Sequence, residues 1–269
     1  ITAEARHGIG QHIDAMKALG RKVDQSPLPA ETAHGTFVPP TIIEIDSIAD
    51  LSREIFGPVL HVLRFRRDRL DALVDQINAT GYGLTFGLHT RVDETVARVT
   101  GRIKVGNIYV NRNVIGAIVG VQPFGGCGLS GTGPKAGGPL SLGRWVTTPP
   151  VFAARVSHLR SPLHSFADWL DRQGDGEAAA QARRTGDASA LGAELTLPGP
   201  VGERNLYALH PRGLILLRPA TRQGLFRQMA AVLATGNCGV VQGMTLPPGL
   251  PAEVAARFPV DASGPFAAA

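Results

Sequence analysis

The chain has 269 residues, of which 43% are hydrophobic and 18% are charged, and this composition predicts a packed core rather than disorder. Its net charge of +5 is spread along the sequence without a basic stripe interleaved with aromatic residues, so we expect no nucleic-acid binding by this part. No apolar run has the length of a membrane span. The two cysteines, Cys127 and Cys238, lie far apart and outside any CxxC motif, which favours a reducing cytoplasm and predicts neither a disulfide nor a metal site.

The first 111 residues alternate between helical and extended patterns. Apolar residues at helical spacing predict helices over 3–19, 69–79 and 93–100. Residues that favour extended structure predict strands or extended segments over 36–45, 59–65, 84–90 and 105–111. Alternation of this kind with short connections indicates an α/β architecture with mostly parallel strands.

The pattern changes after residue 111. Residues 112–139 are rich in glycine and lack helical periodicity, and a long loop of this kind inside a compact domain is usually functional. A connection is expected over 145–162 and helical structure over 163–195. A strand, a helix and a strand then follow over 213–219, 221–234 and 236–243, with a short helix in the tail. The N-terminus has neither an initiator methionine nor the features of a signal peptide, so we expect part of a longer polypeptide.

Three motifs carry a resemblance to a known family. They are REIFGPVL at 53–60, VGNIYVN at 105–111 and QPFGGCGLSGTG at 122–133. In this order they resemble the C-terminal half of the aldehyde dehydrogenase superfamily, over roughly residues 1–148. The sequence of residues 111–139 resembles the Δ1-pyrroline-5-carboxylate dehydrogenase branch, and in particular the dehydrogenase module of the bifunctional proline utilization A family. The resemblance implies an NAD-dependent oxidation of L-glutamate γ-semialdehyde in proline catabolism.

The same resemblance implies a cofactor-binding role for Glu54 and Phe56. In the family, the glutamate at this position accepts hydrogen bonds from the nicotinamide ribose, and the phenylalanine packs beside that sugar. A carboxylate is a natural acceptor for the two hydroxyls of a ribose. The alternative is that Glu54 caps a helix or pairs with Arg53 or Arg66, and that Phe56 belongs to the core.

For the substrate, the resemblance implies roles for Gly116, Ala117 and Phe124. In the semialdehyde branch, backbone N–H groups at the first two positions hold the α-carboxylate, which requires small residues so that the backbone can approach an anion. The phenylalanine packs against the aliphatic part of the aldehyde. The alternatives are a plain loop glycine and an ordinary core phenylalanine.

The catalytic nucleophile is expected outside this sequence. Aldehyde oxidation needs a thiolate, an oxyanion donor and a base, and the resemblance places all three upstream of residue 1. Cys127 lies beside glycines in a position that the family does not use, and Cys238 is expected to be buried on a short strand. The eight histidines form no recognisable catalytic or metal cluster. FAD is expected only in an upstream proline dehydrogenase domain, and a homo-oligomer is expected.

The second half has a weaker resemblance. Residues 197–243 are similar to the Rossmann region of aldehyde dehydrogenases, but Gln242 and Gly243 stand where a cofactor-binding Lys-Pro is expected. This departure favours a partial, degenerate Rossmann-like α/β domain with a structural role. We therefore divide the chain into a dehydrogenase part (1–148), a helical connection (149–196) and this C-terminal domain (197–269).

Two alternatives to the semialdehyde dehydrogenase remain open at this point. One is another aldehyde dehydrogenase, although Gly116 and Ala117 followed by Phe124 suit an aldehyde that carries a carboxylate. The other is a non-catalytic aldehyde dehydrogenase-like scaffold or oligomerisation module. A pure scaffold has no need of a ribose acceptor such as Glu54.

Overall fold

The computed structural model describes residues 1–131, 133–147 and 161–259, and its chain divides into two compact units. The first unit comprises Ile1–Gly116 and Phe124–Gly133, and the second comprises Ala117–Pro123 and Pro134–Ala269. Helices and strands occur in both units, which confirms the predicted α/β class. Among the described residues, no helix is both long and apolar enough to cross a membrane.

The first unit begins with a helix that packs on a small sheet. Helix α1 spans Ala3–Ala18, and Ile9, Ile13 and Met16 form its buried face. The sheet has the order β1-β2-β3, with an antiparallel β1–β2 pair and a parallel β2–β3 pair. Its strands are β1 Val23–Gln25, β2 Thr41–Ile45 and β3 Val59–Leu63. The apolar spacing in α1 therefore buries one stripe of the helix against alternate residues of β2, as the periods of helix and strand require.

The rest of the first unit forms a second core around Val74, Val99 and Ile103. Strands β5 and β6 are parallel, whereas the two-residue strands β4 and β7 are antiparallel. In chain order the elements are α2 Leu70–Ala79, β4 Tyr82–Gly83, β5 Thr85–Leu88, α3 Asp93–Thr100, β6 Asn107–Val110 and β7 Cys127–Gly128. The β4–β7 pair joins the glycine-rich loop to the body of this unit.

The second unit has its own core, built around Phe166, Trp169 and Phe226. The rings of these residues lie 6.0–6.1 Å apart in stacked and edge-on contacts, at the distances that aromatic pairs prefer. The elements are α4 Ser161–Arg172, α5 Gly176–Asp187, β8 Glu194–Leu197, β9 Asn205–Ala208, β10 Leu214–Leu217, α6 Arg222–Ala234, β11 Cys238–Val241 and α7 Ala252–Ala255. Helix α6 joins the parallel strands β10 and β11, which confirms the predicted strand–helix–strand unit.

One expectation about local structure needs correction, and one holds for the predicted strands only. Residues 163–195 do not form helix throughout, because α4 and α5 are separated at Gly174, which has a φ of +79°, and β8 begins at Glu194. The strands predicted from the sequence pair in parallel as expected, in β2–β3, β5–β6 and β10–β11. The three antiparallel pairs of the described residues each include a strand that was not predicted. The antiparallel pairs each include a strand of two to four residues that makes no helical crossover and so leaves little pattern in the sequence. The proposed boundaries at 148 and 196 stay predictions.

Candidate cofactor and substrate site

The loop that carries Glu54 and Phe56 is attached to the core and to helix α1 by the residue that follows each of them. Ile55 packs against the core between α1 and the sheet. Gly57 lies so close to α1 that a Cβ at this position would overlap the side chain of Ile9. This attachment leaves Glu54 exposed, and Phe56 has 86% of its surface exposed. The loop therefore presents a carboxylate and an aromatic ring outward from a fixed backbone.

The structure does not support the alternative roles, in which Glu54 caps a helix or pairs with an arginine and Phe56 belongs to the core. Glu54 forms no hydrogen bond or ion pair within residues 1–131, 133–147 and 161–259. Arg66 instead binds Asp68 through two hydrogen bonds of 3.1 Å. Phe56, at its high exposure, is not a core residue of the described chain. Both side chains are free to contact a ligand, and their cofactor role stays a prediction.

The predicted carboxylate anchor lies in an exposed part of the glycine-rich loop. Gly116 has a φ of +66° with open space around it, a conformation that glycine adopts at little cost. The N–H groups of Gly116 and Ala117 donate to no acceptor in the described part of the chain. Gly116 ends a segment of the first unit and Ala117 begins a segment of the second. Their joint role in binding a carboxylate stays a prediction.

Phe124 lies on a backbone that β6 holds in place. Phe124 has 37% of its residue surface exposed, so it is not ordinary core. The next residue, Gly125, donates its N–H to Asn107 Oδ1 over 3.2 Å. Gly106 permits this approach, because a Cβ there would overlap the carbonyl oxygen of Gly125. Sequence reasoning missed Asn107, whose signal was a polar residue beginning a buried strand in the VGNIYVN motif.

The two cysteines lie on separate short strands, and the expectation that neither is the nucleophile stays a prediction. Cys127 is exposed in β7, where it lies opposite Gly83. Cys238 is only half-buried at the start of β11, so the expectation of a buried thiol was wrong. No His, Cys, Asp and Glu side chains of the described residues form a group of three or more that could hold a metal ion.

Comparisons with known proteins identify the family of the chain. Residues 1–149 match the model of the aldehyde dehydrogenase family. The bifunctional protein PutA of Rhizobium meliloti is 66% identical over 88% of the chain, and 1-pyrroline-5-carboxylate dehydrogenase of Bacillus subtilis is 44% identical over 40% of it. The chain spans about a fifth of the length of these relatives, 19% of the first and 21% of the second.

A solved structure shows the same fold over most of the chain. Proline utilization A from Corynebacterium freiburgense aligns with 90% of the chain and 26% of its own length, with a TM-score of 0.67 and 23% identity. The family match covers more than half of the sequence and includes all five of the predicted site residues, Glu54, Phe56, Gly116, Ala117 and Phe124. The chain therefore belongs to the aldehyde dehydrogenase family.

Proposed function

We propose that residues 1–269 form part of an NAD-dependent L-glutamate γ-semialdehyde dehydrogenase of proline catabolism. The observation that carries this proposal is the exposed, unpaired Glu54 beside the exposed Phe56, found within the described residues of an aldehyde dehydrogenase family chain. The names of relatives that are 66% and 44% identical, PutA and 1-pyrroline-5-carboxylate dehydrogenase, support this choice of substrate.

The residues at 54 and 56 fit the nicotinamide half of NAD. Bound NAD supplies the acceptor for the hydride that leaves the substrate carbon. The Glu54 carboxylate accepts hydrogen bonds from the ribose hydroxyls, and such charge-assisted bonds are stronger than neutral ones. Phe56 offers its exposed ring as an apolar surface for the sugar. These two contacts orient the nicotinamide while the anchored neighbours Ile55 and Gly57 keep the loop in place.

The substrate side of the proposal rests on the glycine-rich loop. The N–H groups of Gly116 and Ala117, which have no acceptor in the described part of the chain, donate to the α-carboxylate of the semialdehyde. Phe124 lies against the short aliphatic stem of the substrate and excludes water from it. An aldehyde without an α-carboxylate loses the first of these contacts, so the loop discriminates by charge.

The nucleophilic cysteine is supplied by residues outside this sequence. Cys127 is exposed beside glycines in a position that the family does not use for chemistry, and Cys238 is half-buried on a short strand. We place the nucleophile, together with most of the cofactor domain, in a longer polypeptide that assembles as a homo-oligomer. FAD belongs to a proline dehydrogenase domain of that polypeptide. The C-terminal domain, with Gln242 and Gly243 in place of Lys-Pro, has a structural role.

The test begins with the native polypeptide. An antibody to this chain should detect a product several-fold larger than 28.3 kDa in the source cells. That product, once purified, should reduce NAD when L-glutamate γ-semialdehyde is added. A native product of about 28.3 kDa without dehydrogenase activity would reject the enzyme and favour a scaffold. Equal activity toward aldehydes that lack a carboxylate would favour a different aldehyde dehydrogenase.

A further inference from the structure

Gln122 links the glycine-rich loop to the strand pair β8–β9. Its Oε1 accepts a hydrogen bond of 3.0 Å from the N–H of Ile118. Its Nε2 donates to Asn205 Oδ1 over 3.4 Å and to Glu203 Oε2 over 3.2 Å. All four residues belong to the second unit, and 83 residues separate Gln122 from Asn205. The side-chain amide of Gln122 therefore binds the loop through its oxygen and the strand pair through its nitrogen.

The loop itself is closed as a turn. The N–H groups of Val121 and Gln122 donate to the carbonyl of Ile118 over 3.0 and 2.9 Å. Gly120 has a φ of +78°, which permits the reversal of the chain. Both ends of the Ile118–Gln122 turn are thus fixed by hydrogen bonds, and the turn begins directly after Ala117.

The strand pair offers a firm support for Gln122. Asn205 begins β9 and lies opposite Leu197 of β8. The connection between the strands passes close to Asn205 and to the turn, because a Cβ on Gly199 would overlap Asn205 Nδ2 and would lie 3.7 Å from Val121 Cγ1. A side chain at Gly199 would require the amide of Asn205 to move. The hairpin connection and the turn therefore approach each other beside Asn205.

We propose that Gln122 is a positioning residue for the carboxylate anchor, and that Asn205 and Glu203 support it. This inference rests on the proposed function, because it specifies how the loop meets the α-carboxylate. The N–H of Ile118 and the carbonyl of Ala117 share one planar peptide group and point in opposite directions. Holding the Ile118 N–H therefore fixes the Ala117 carbonyl, which keeps an oxygen from turning toward an anionic substrate. The same hydrogen bond holds the Ala117 backbone in one conformation before the α-carboxylate arrives, and such preorganisation improves binding.

Two substitutions test the link that Gln122 makes between the loop and the strand pair. Gln122→Ala removes both. Gln122→Glu keeps an acceptor for Ile118 but places a carboxylate against Glu203. In the native-length enzyme, we expect each variant to raise the KM for L-glutamate γ-semialdehyde about 5- to 10-fold, since one net hydrogen bond is worth about 1 kcal/mol. The kcat should stay within about twofold, because the anchor does not touch the reacting carbon.

The controls separate positioning from general damage to the fold. Gln76→Ala, on the exposed face of α2, should leave all constants unchanged. The KM for butanal, which has no α-carboxylate, should not change in either Gln122 variant. The double variant Gln122→Glu/Glu203→Gln should have the same KM as the single variant Glu203→Gln, because the two carboxylates no longer face each other. An equal rise for both aldehydes would assign Gln122 a merely structural role and overturn the proposal.

A second measurement does not depend on activity. Hydrogen–deuterium exchange of a peptide covering 117–123 should be faster in Gln122→Ala than in the parent protein, because the Ile118 N–H loses its acceptor. Unchanged exchange would overturn the positioning role even in an inactive protein. If the parent protein does not oxidise the semialdehyde, the proposed function fails. If it does and the Gln122 variants keep the parent KM, only this inference fails.

Discussion

Nε2 of His12 lies 2.8 Å from Nε2 of His61 and joins helix α1 to strand β3. The two rings meet edge-on, with centroids 5.1 Å apart and an interplanar angle of 70°. One nitrogen must donate and the other must accept, so the contact holds only while at least one ring is neutral. The histidines were expected to be scattered without a cluster, and this pair shows that two of them form a specific contact.

The pair predicts a pH-dependent stability. Burial, and then the charge of Arg53, lowers the pKa of His12, and burial, and then His12, lowers the pKa of His61. Because both pKa values lie below the ordinary 6.5, the unfolded chain binds more protons than the folded chain as the pH falls through 6.5. The contribution of the neutral histidine pair to the free energy of unfolding is therefore complete above pH 6.5. It is lost as the pH falls toward and through the folded-state pKa values.

Histidine-specific hydrogen–deuterium exchange by mass spectrometry measures these midpoints in the native-length protein. Both midpoints should lie below 6.5, and His12→Phe should move that of His61, because the charge of His12 contributes to lowering the pKa of His61. Replacing the exposed His89 with glutamine is the matched control and should move neither. A midpoint at or above 6.5 for both rings would contradict the prediction.

Glu54→Ala should weaken binding of NAD. Loss of a charge-assisted hydrogen bond costs about 1.5–3 kcal/mol, which corresponds to a rise in Kd of roughly 10- to 100-fold. Isothermal titration of the native-length protein with NAD measures this directly. Glu31→Ala, which removes another exposed carboxylate, should leave the Kd unchanged. An unchanged Kd and unchanged NAD kinetics in Glu54→Ala would remove Glu54 from the site.

Ala117→Tyr should block the carboxylate anchor. A large side chain at this position prevents the close approach of an anion to the backbone N–H groups. We expect the KM for L-glutamate γ-semialdehyde to rise at least about tenfold, on the scale of one lost charged hydrogen bond. Steady-state kinetics test this, with Val119→Tyr as control, since Val119 has 97% of its surface exposed. A normal KM would show that Ala117 has no part in binding.

Gly106→Ala should destabilise the protein. The added methyl group would overlap the carbonyl oxygen of Gly125, which is backbone and cannot move away easily. Overpacking of this kind costs about 1–3 kcal/mol. Gly10→Ala in α1 is the opposite case, since a Cβ there meets nothing within 4 Å and alanine stabilises a helix by roughly 0.5–1 kcal/mol. Thermal unfolding measurements should therefore give a lower Tm for Gly106→Ala and a slightly higher Tm for Gly10→Ala than for the parent protein. Equal shifts in the two variants would contradict the close contact assigned to Gly106.

Local patterns were enough to predict the elements that bury an amphipathic face. Helix α1 follows from the spacing of Ile9, Ile13 and Met16, and α6 follows from its apolar run between two short strands. Strand β1 was missed because its three residues show no alternation and pair only once β2 lies beside them. Strand β8 was missed although its residues alternate between exposed and half-buried, because it has only four residues and is paired by the separate strand β9.

The amino-acid sequence by itself determined the family and the chemical types of the candidate site residues. A carboxylate at 54, an aromatic ring at 56 and small residues at 116 and 117 are properties of short motifs and need no fold to be recognised. Tertiary structure alone decided which distant residues meet. His12 and His61 are 49 positions apart, and Gln122 and Asn205 are 83 apart. Contacts of this kind leave no periodicity in the sequence, because they depend on how packed cores bring separate backbone segments within hydrogen-bonding distance.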